Sequence, residues 1–137
     1  MKTTKETGII VRPIGFIRTP FKGLRDTPKR PAHSGEATGE VVVFDEYAEA
    51  LEGIEEFERI WLLFWMGRAK KFMPRVVANL DGQLKGLFAT RAPCRPNPIG
   101  ISPARLIERR GNILVVRDID MFNGTPIIDI KPYLPES

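Results

Sequence analysis

The chain is 137 residues long with a net charge of +4; its 42% hydrophobic and 28% charged residues lie in the globular range and exclude a disordered or fibrous chain. This length builds one domain, taken as residues 1–137, with a core of its own. Its longest apolar run, 60–66, is far short of the ~18–20 residues of a membrane span, and a single cysteine (Cys94) and a single histidine (His33) leave no internal disulfide and no basis for a metal site.

Taken in chain order, residues 1–6 hold no apolar segment of the secretory kind, so a soluble, cytoplasmic protein is expected. Residues 9–17 are β-rich, with Pro13 pointing to an edge position or a bulge. The stretch from Thr19 to Glu40 is irregular, with prolines at 20, 28 and 31; connections of that length are usually functional. His33, inside it, reads as a solvated loop residue. Glu40–Phe44 predicts a strand, after which Asp45 can cap a short helix through Leu51. Residues 60–66 show no alternation and predict a central strand buried on both faces, with Trp61 and Trp65 in the core rather than forming a base-stacking platform.

Beyond it, Val76–Leu80 and Leu84–Ala89 flank the turn signal Asp81-Gly82. Arg105–Glu108 and Ile113–Arg117 flank Gly111-Asn112, and Pro126–Ile130 follows Asn123-Gly124-Thr125. About seven short strands with regular turns predict an all-β, mainly antiparallel fold: a small barrel or sandwich with one or two short helices. Charge is uneven along this chain. Residues 1–35 hold eight Lys and Arg against two acids, 36–60 hold one against nine, and 61–95 hold seven against one. Basic blocks around an acidic one suit an anionic partner, although solvated charge alone gives the same composition.

Two segments carry the chemistry. Residues 89–103 (ATRAPCRPNPIGISP) contain four prolines, each with fixed φ and no N–H, and are expected to form a stiff loop instead of ladder strand. Such a loop would hold Arg91, Arg95 and Asn97 for an anionic ligand, since guanidinium forks suit carboxylate and phosphate; pairing of these arginines with the acidic block is the alternative. Residues 118–135 bring Asp118, Asp120, Asn123, Asp129, Lys131 and Tyr133 around a tight turn. Alternation puts Asp129 and Lys131 on one strand face, in a cleft or as a simple ion pair. There is no P-loop, no G-x-G-x-x-G and no triad pattern.

These segments resemble the TsaA-like (TrmO) family, whose pattern runs A-T-R-x-x-x-R-P-N-P-I-G-x-S and then D-G-T-P-x-x-D-I-K-P-Y-x-P. The matches are Ala89-Thr90-Arg91, Arg95-Pro96-Asn97-Pro98-Ile99-Gly100, Ser102, Gly124-Thr125-Pro126, Asp129-Ile130-Lys131-Pro132-Tyr133 and Pro135. Ile17–Lys22 and the apolar strand Trp61–Phe64 also fit, so the likeness covers nearly the whole chain.

The resemblance implies a β-barrel methyltransferase using S-adenosylmethionine. The acceptor implied is N6 of threonylcarbamoyl-adenosine, just 3′ of a tRNA anticodon, and the protein implied is a homodimer with the cofactor near the subunit interface. The absence of a Rossmann glycine loop agrees with such a fold. Carried over by position, cofactor contacts fall on Pro28, Lys29, Arg30, Gly67, Arg68, Arg91, Ile101, Arg117, Asp118, Ile119 and Asp120. Substrate contacts are assigned to Arg95, Asn97, Asn123 and Tyr133. Asp120 or Asp129 is a candidate to take the N6 proton, and Lys131 or Arg91 to hold a carboxylate of cofactor or substrate.

The chain departs from the pattern at several points. Pro-Arg-Gln has become Pro28-Lys29-Arg30, and Gly-Phe-Ser-His before the apolar strand is Glu56-Phe57-Glu58-Arg59. The His after that strand is Gly67, and Asp-Gly-Thr-Pro has become Asn123-Gly124-Thr125-Pro126. The extra C-terminal domain of longer bacterial members is not expected here. A methyltransferase of the same fold with another acceptor, and a non-catalytic RNA-binding barrel, are the alternative readings.

Overall fold

The structure, a computed structural model, describes residues 8–20, 38–67 and 71–136. Six strands close an antiparallel barrel in the order β1-β2-β7-β6-β3-β8: β1 (Gly15–Arg18), β2 (Thr38–Val43), β3 (Arg59–Trp65), β6 (Ile99–Arg110), β7 (Ile113–Arg117) and β8 (Pro126–Pro132). A separate hairpin pairs β4 (Arg75–Val77) with β5 (Leu84–Gly86). Closure pairs every barrel strand with a neighbour on each side over part of its length. This is the all-β barrel that turn spacing and patterning predict.

The barrel strands send alternate residues inward, except where bulges shift the register of β6 and β8. Ile17, Val41, Val43, Ile60, Leu62, Ala104, Leu114, Val116 and Ile127 are buried in a single core, joined by Ile119 and Met121 from the segment after β7. Two glycines make room for it. A Cβ at Gly100 would run into the Phe64 ring, and one at Gly15 into the Val42 carbonyl.

Several expectations need correction. β3 alternates after all: Ile60, Leu62 and Phe64 point in, while Trp61, Leu63 and Trp65 lie half-buried on the outer face. Both faces are apolar, which hides the period. The first strand begins only at Gly15, and Ile9, Ile10 and Val11 are exposed before it. The predicted helix is a 3-10 turn, Asp45–Leu51, and Ile54–Glu56 and Leu87–Ala89 are two more.

The proline-rich stretch is loop only as far as Pro98. From Ile99 it is ladder strand, with Pro103 opposite Trp61. Residues 99–104 pair with β3 alone, because β7 joins β6 only from Arg105 onward. A strand covered on one side tolerates a residue without an N–H.

Candidate functional site

The uncovered stretch of β6 is where the candidate residues collect. At Asp118 the chain leaves β7 with φ of 61°, a left-handed conformation that Asp accepts better than most residues. The turn carries residues 118–121 away from β6. Ile119 and Met121 drop into the core, leaving Asp120 partly buried between them. From the preceding loop Arg91 donates through Nη1 to the Ile101 carbonyl, 3.3 Å away.

This corner holds polar atoms with no internal partner. Among the described residues, Asp120 Oδ1, Arg117 Nε and Ser102 Oγ are buried without a hydrogen bond. Such atoms are rare in folded proteins and costly to leave so. Burial pushes the Asp120 carboxyl up to about 6 from an ordinary 3.8, against the smaller opposing pull of its own backbone hydrogen bond and of the Arg91 charge. Asp120 is thus a partly buried carboxylate that titrates close to neutrality and feels the charge of the exposed Arg91. An open concavity of about 340 Å³ beside β1, β2 and β7 includes none of the candidate residues.

The other expected site residues divide by what they touch. Arg95 donates Nη1 to the Thr90 and Ala92 carbonyls at 2.9 and 3.0 Å, and its guanidinium lies 5.6 Å over the Phe88 ring. It clamps its own loop and, among the described residues, pairs with no acid of the 36–60 block. Asn97 is exposed, and its carbonyl accepts from Ile99 N. Asn123 Oδ1 accepts from Thr19 N at 3.0 Å, while Thr19 Oγ1 donates to the Met121 carbonyl at 2.9 Å. The start of the 19–40 connection is thereby tied to the 118–123 segment.

Asp129 and Lys131 form an ion pair at 3.0 Å, and Asp129 Oδ1 also accepts from Ile130 N. Both carboxylate oxygens are engaged, unlike those of Asp120. A bulge between Leu63 and Phe64 in the β3–β8 ladder lets Ile127 and Ile130 both turn toward the core. The Tyr133 ring stacks on Trp61 with centroids 5.0 Å apart. Asp118 pairs with Arg59 at 3.7 Å. The Ile119 side chain is wholly in the core, so only its main chain can face a ligand. Gly67 is exposed next to the Trp65 indole. Pro28, Lys29, Arg30, His33 and Arg68 lie outside the described residues.

In the sequence Arg59 stands out only as a departure from the family pattern. Counting by twos from the buried Ile60 puts it on the outer face with Trp61, a signal that the unbroken apolar run conceals. Among the described residues, no group of three His, Cys, Asp or Glu side chains is placed to hold a metal ion, and no helix is long and apolar enough to cross a membrane.

Residues 16–137 match the model of the tRNA-methyltransferase O N-terminal domain. The chain belongs to the TrmO family. A probable S-adenosyl-L-methionine-binding protein of Pyrococcus abyssi is 50% identical over 128 residues, covering 93% of this chain and 70% of that one. The human tRNA (adenine(37)-N6)-methyltransferase is 33% identical over 148 residues, which is 99% of this chain and 33% of the human one. The crystal structure of TrmO from Pseudomonas aeruginosa superposes with a TM-score of 0.78 at 39% identity, covering 94% of this chain and 57% of that one. The TrmO barrel therefore accounts for nearly all of this chain but only about half of the solved chain.

Proposed function

We propose that this chain is an S-adenosylmethionine-dependent methyltransferase of the TrmO type, acting on N6 of the threonylcarbamoyl-adenosine just 3′ of a tRNA anticodon. The names of the relatives support the cofactor and the adenine N6 acceptor. The observation that carries the reading is Asp120, a carboxylate with one buried, unpartnered oxygen that feels the Arg91 charge. An exposed guanidinium at Arg91 suits the carboxylate of a ligand with an amino-acid end, and the unpartnered Arg117 Nε and the main chain after it offer further polar atoms, so the residues present fit the cofactor.

Arg91, the Ile101 main chain and residues 117–120 would hold that ligand, and the family pattern assigns further cofactor contacts to Gly67, Arg68 and residues 28–30. When bound, S-adenosylmethionine supplies an electrophilic methyl group on a sulfonium. The work left to the chain is to align the acceptor amine, exclude water and remove one proton. A base whose pKa is about 6 is ionised at neutral pH yet still basic enough to take that proton, and Asp120 fills this role in preference to the fully engaged Asp129.

Arg95 and Asn97 support the reading by shaping the loop that carries Arg91, and Asn123 and Tyr133 by flanking the corner. The reading includes a cytoplasmic homodimer. Exposed apolar side chains at and beside the β4–β5 hairpin (Phe72, Met73, Val77, Leu84 and Phe88) form a surface suited to self-association, which sedimentation velocity tests.

The test of the function is transfer of labelled methyl from S-adenosylmethionine to purified tRNA with and without the threonylcarbamoyl group, followed by nucleoside analysis. Label in the N6-methylated threonylcarbamoyl nucleoside is the expected result. Label in unmodified RNA or in a small molecule alone would reject the acceptor, and no transfer to anything would reject the enzyme.

A further inference from the structure

We infer that the outer barrel face crossing β3, β6 and β7 is a docking surface for the sugar–phosphate backbone of an RNA, organised around a row of three arginines. Arg59 on β3 stands directly opposite Arg105 on β6, and Arg105 stands directly opposite Arg117 on β7. Directly opposed residues project from the same side of a sheet, and neighbouring strands lie ~4.8 Å apart. Three guanidinium-bearing side chains therefore cross ~10 Å of barrel surface in one line. None of this follows from local sequence, because the line exists only through pairing of distant strands.

The row is electrostatically unfavourable in isolation. Like charges directly opposed across a ladder destabilise it, and the described residues supply one carboxylate to the row, Asp118, which pairs with Arg59 at 3.7 Å. Arg105 is exposed and has no ion pair among the described residues. Arg117 Nε is buried without a hydrogen bond. Such a line of cations is complementary to a line of phosphates.

Two residues along β3 on the same face, Trp61 stands opposite Pro103 and Lys131 and stacks on the half-exposed Tyr133. Cations bordering aromatic rings suit a nucleic acid whose bases are accessible, as in a loop. The row ends at Arg117, immediately before the candidate site at Asp118–Asp120, so RNA lying along it would arrive at that corner. The inference rests on the proposed tRNA acceptor and names the surface that receives it.

The test is charge reversal at Arg105, which has no assigned part in cofactor binding. Arg105→Glu puts a carboxylate between two arginines, so the free protein should melt at the same temperature or higher. Its melting shift with S-adenosylmethionine should be unchanged. Affinity for threonylcarbamoyl-modified tRNA, followed by fluorescence anisotropy from 50 to 200 mM KCl, should fall at low salt and depend less on salt. For every phosphate that the variant no longer neutralises, the drop in affinity over this fourfold range should shrink by about threefold, from a log–log slope of roughly 0.7–0.9 per phosphate.

Arg105→Gln serves as the milder variant, with a smaller change in the same direction. If the wild type binds tRNA and Arg105→Glu binds it with the same affinity and salt slope, the surface assignment is wrong. If the substitution changes the sedimentation coefficient and leaves RNA affinity alone, the face belongs to a protein–protein interface, and the inference is overturned. If the wild type binds no tRNA at any salt, the acceptor reading itself has failed and the docking surface falls with it.

Discussion

Asp120→Asn separates stability from chemistry at the candidate site. In the folded protein the Asp120 carboxyl titrates at about 6, against 3.8 in a solvated chain, because burial disfavours its charged form. Between those values the folded state binds more protons than the unfolded state, so stability falls as pH rises through this window. Below about pH 4 the group is neutral in both states and contributes no penalty. Above about pH 6 the whole penalty is present, and the difference between the two values corresponds to ~3 kcal/mol. Asparagine keeps the shape and removes the charge. The variant should therefore be more stable than wild type by up to ~3 kcal/mol at pH 8, a rise of ~10 °C in Tm for a domain of this size, and no more stable near pH 4.

The assay is a series of thermal melts of both proteins from pH 4 to pH 8, paired with methyl transfer at the same pH values. If Asp120 takes the acceptor proton, the wild-type rate should rise with pH through about 6 and then level, and Asp120→Asn should lose transfer while gaining stability. A stability difference that stays flat from pH 4 to pH 8 would refute the buried-charge argument. Full transfer by the asparagine variant would refute the role of the carboxylate as base.

The remaining predictions follow from single side chains. Arg91 is exposed and makes one long hydrogen bond, so Arg91→Ala should leave the Tm of the free protein nearly unchanged and abolish most of its rise with S-adenosylmethionine, a rise worth roughly 2.7 kcal/mol at 100 times Kd; unfolding of the variant with ligand affinity intact would make the arginine structural. Gly100→Ala forces a methyl group into the Phe64 ring and should cost ~1–3 kcal/mol in urea denaturation, whereas Gly86→Ala, whose Cβ would meet nothing within 4 Å, serves as the mild control. Asn123→Asp keeps the oxygen that accepts from Thr19 N and should shift stability by less than ~0.5 kcal/mol, while Asn123→Ala should cost ~1 kcal/mol in the same denaturation series. Lys131→Met breaks an exposed ion pair and should move stability by less than ~1 kcal/mol, because solvent screens it.

What can be read from the chain depends on how local the cause is. The hairpin at Gly111-Asn112 and its strands follow from residues a few positions apart and sit where turn chemistry puts them. Around Asp81-Gly82 the ladder stops at Val77 and runs only from Leu84 to Gly86, short of the expected Val76–Leu80 and Leu84–Ala89, because residues 78–83 form a longer connection. The two-faced character of β3 is hidden because Trp61, Leu63 and Trp65 are as apolar as the inward Ile60, Leu62 and Phe64, so no alternation survives in the letters. Arg95 and Arg91 look equivalent in sequence. Carbonyls within five residues capture Arg95, while Arg91 reaches the main chain of a strand ten residues away, and its charge is felt at the Asp120 carboxyl. The arginine row is beyond the reach of sequence altogether, since strand register decides it and residues 59, 105 and 117 have no local pattern in common.

These illegible features are not scattered over the barrel. The left-handed Asp118, the orphaned atoms of Arg117 and Asp120, and the opposed arginines all occur where β7 turns away from β6 and leaves residues 99–104 covered on one side only. Each is locally unfavourable, and the rest of the barrel is a well-packed apolar core that can offset them. A sequence selected only for stability would place Asn or a small apolar residue at 120 and a carboxylate at 105. That this chain does neither, at Asp120 and at the residue paired with Arg117 three positions before it, is the physical argument that this end of β7 is where it meets its ligands.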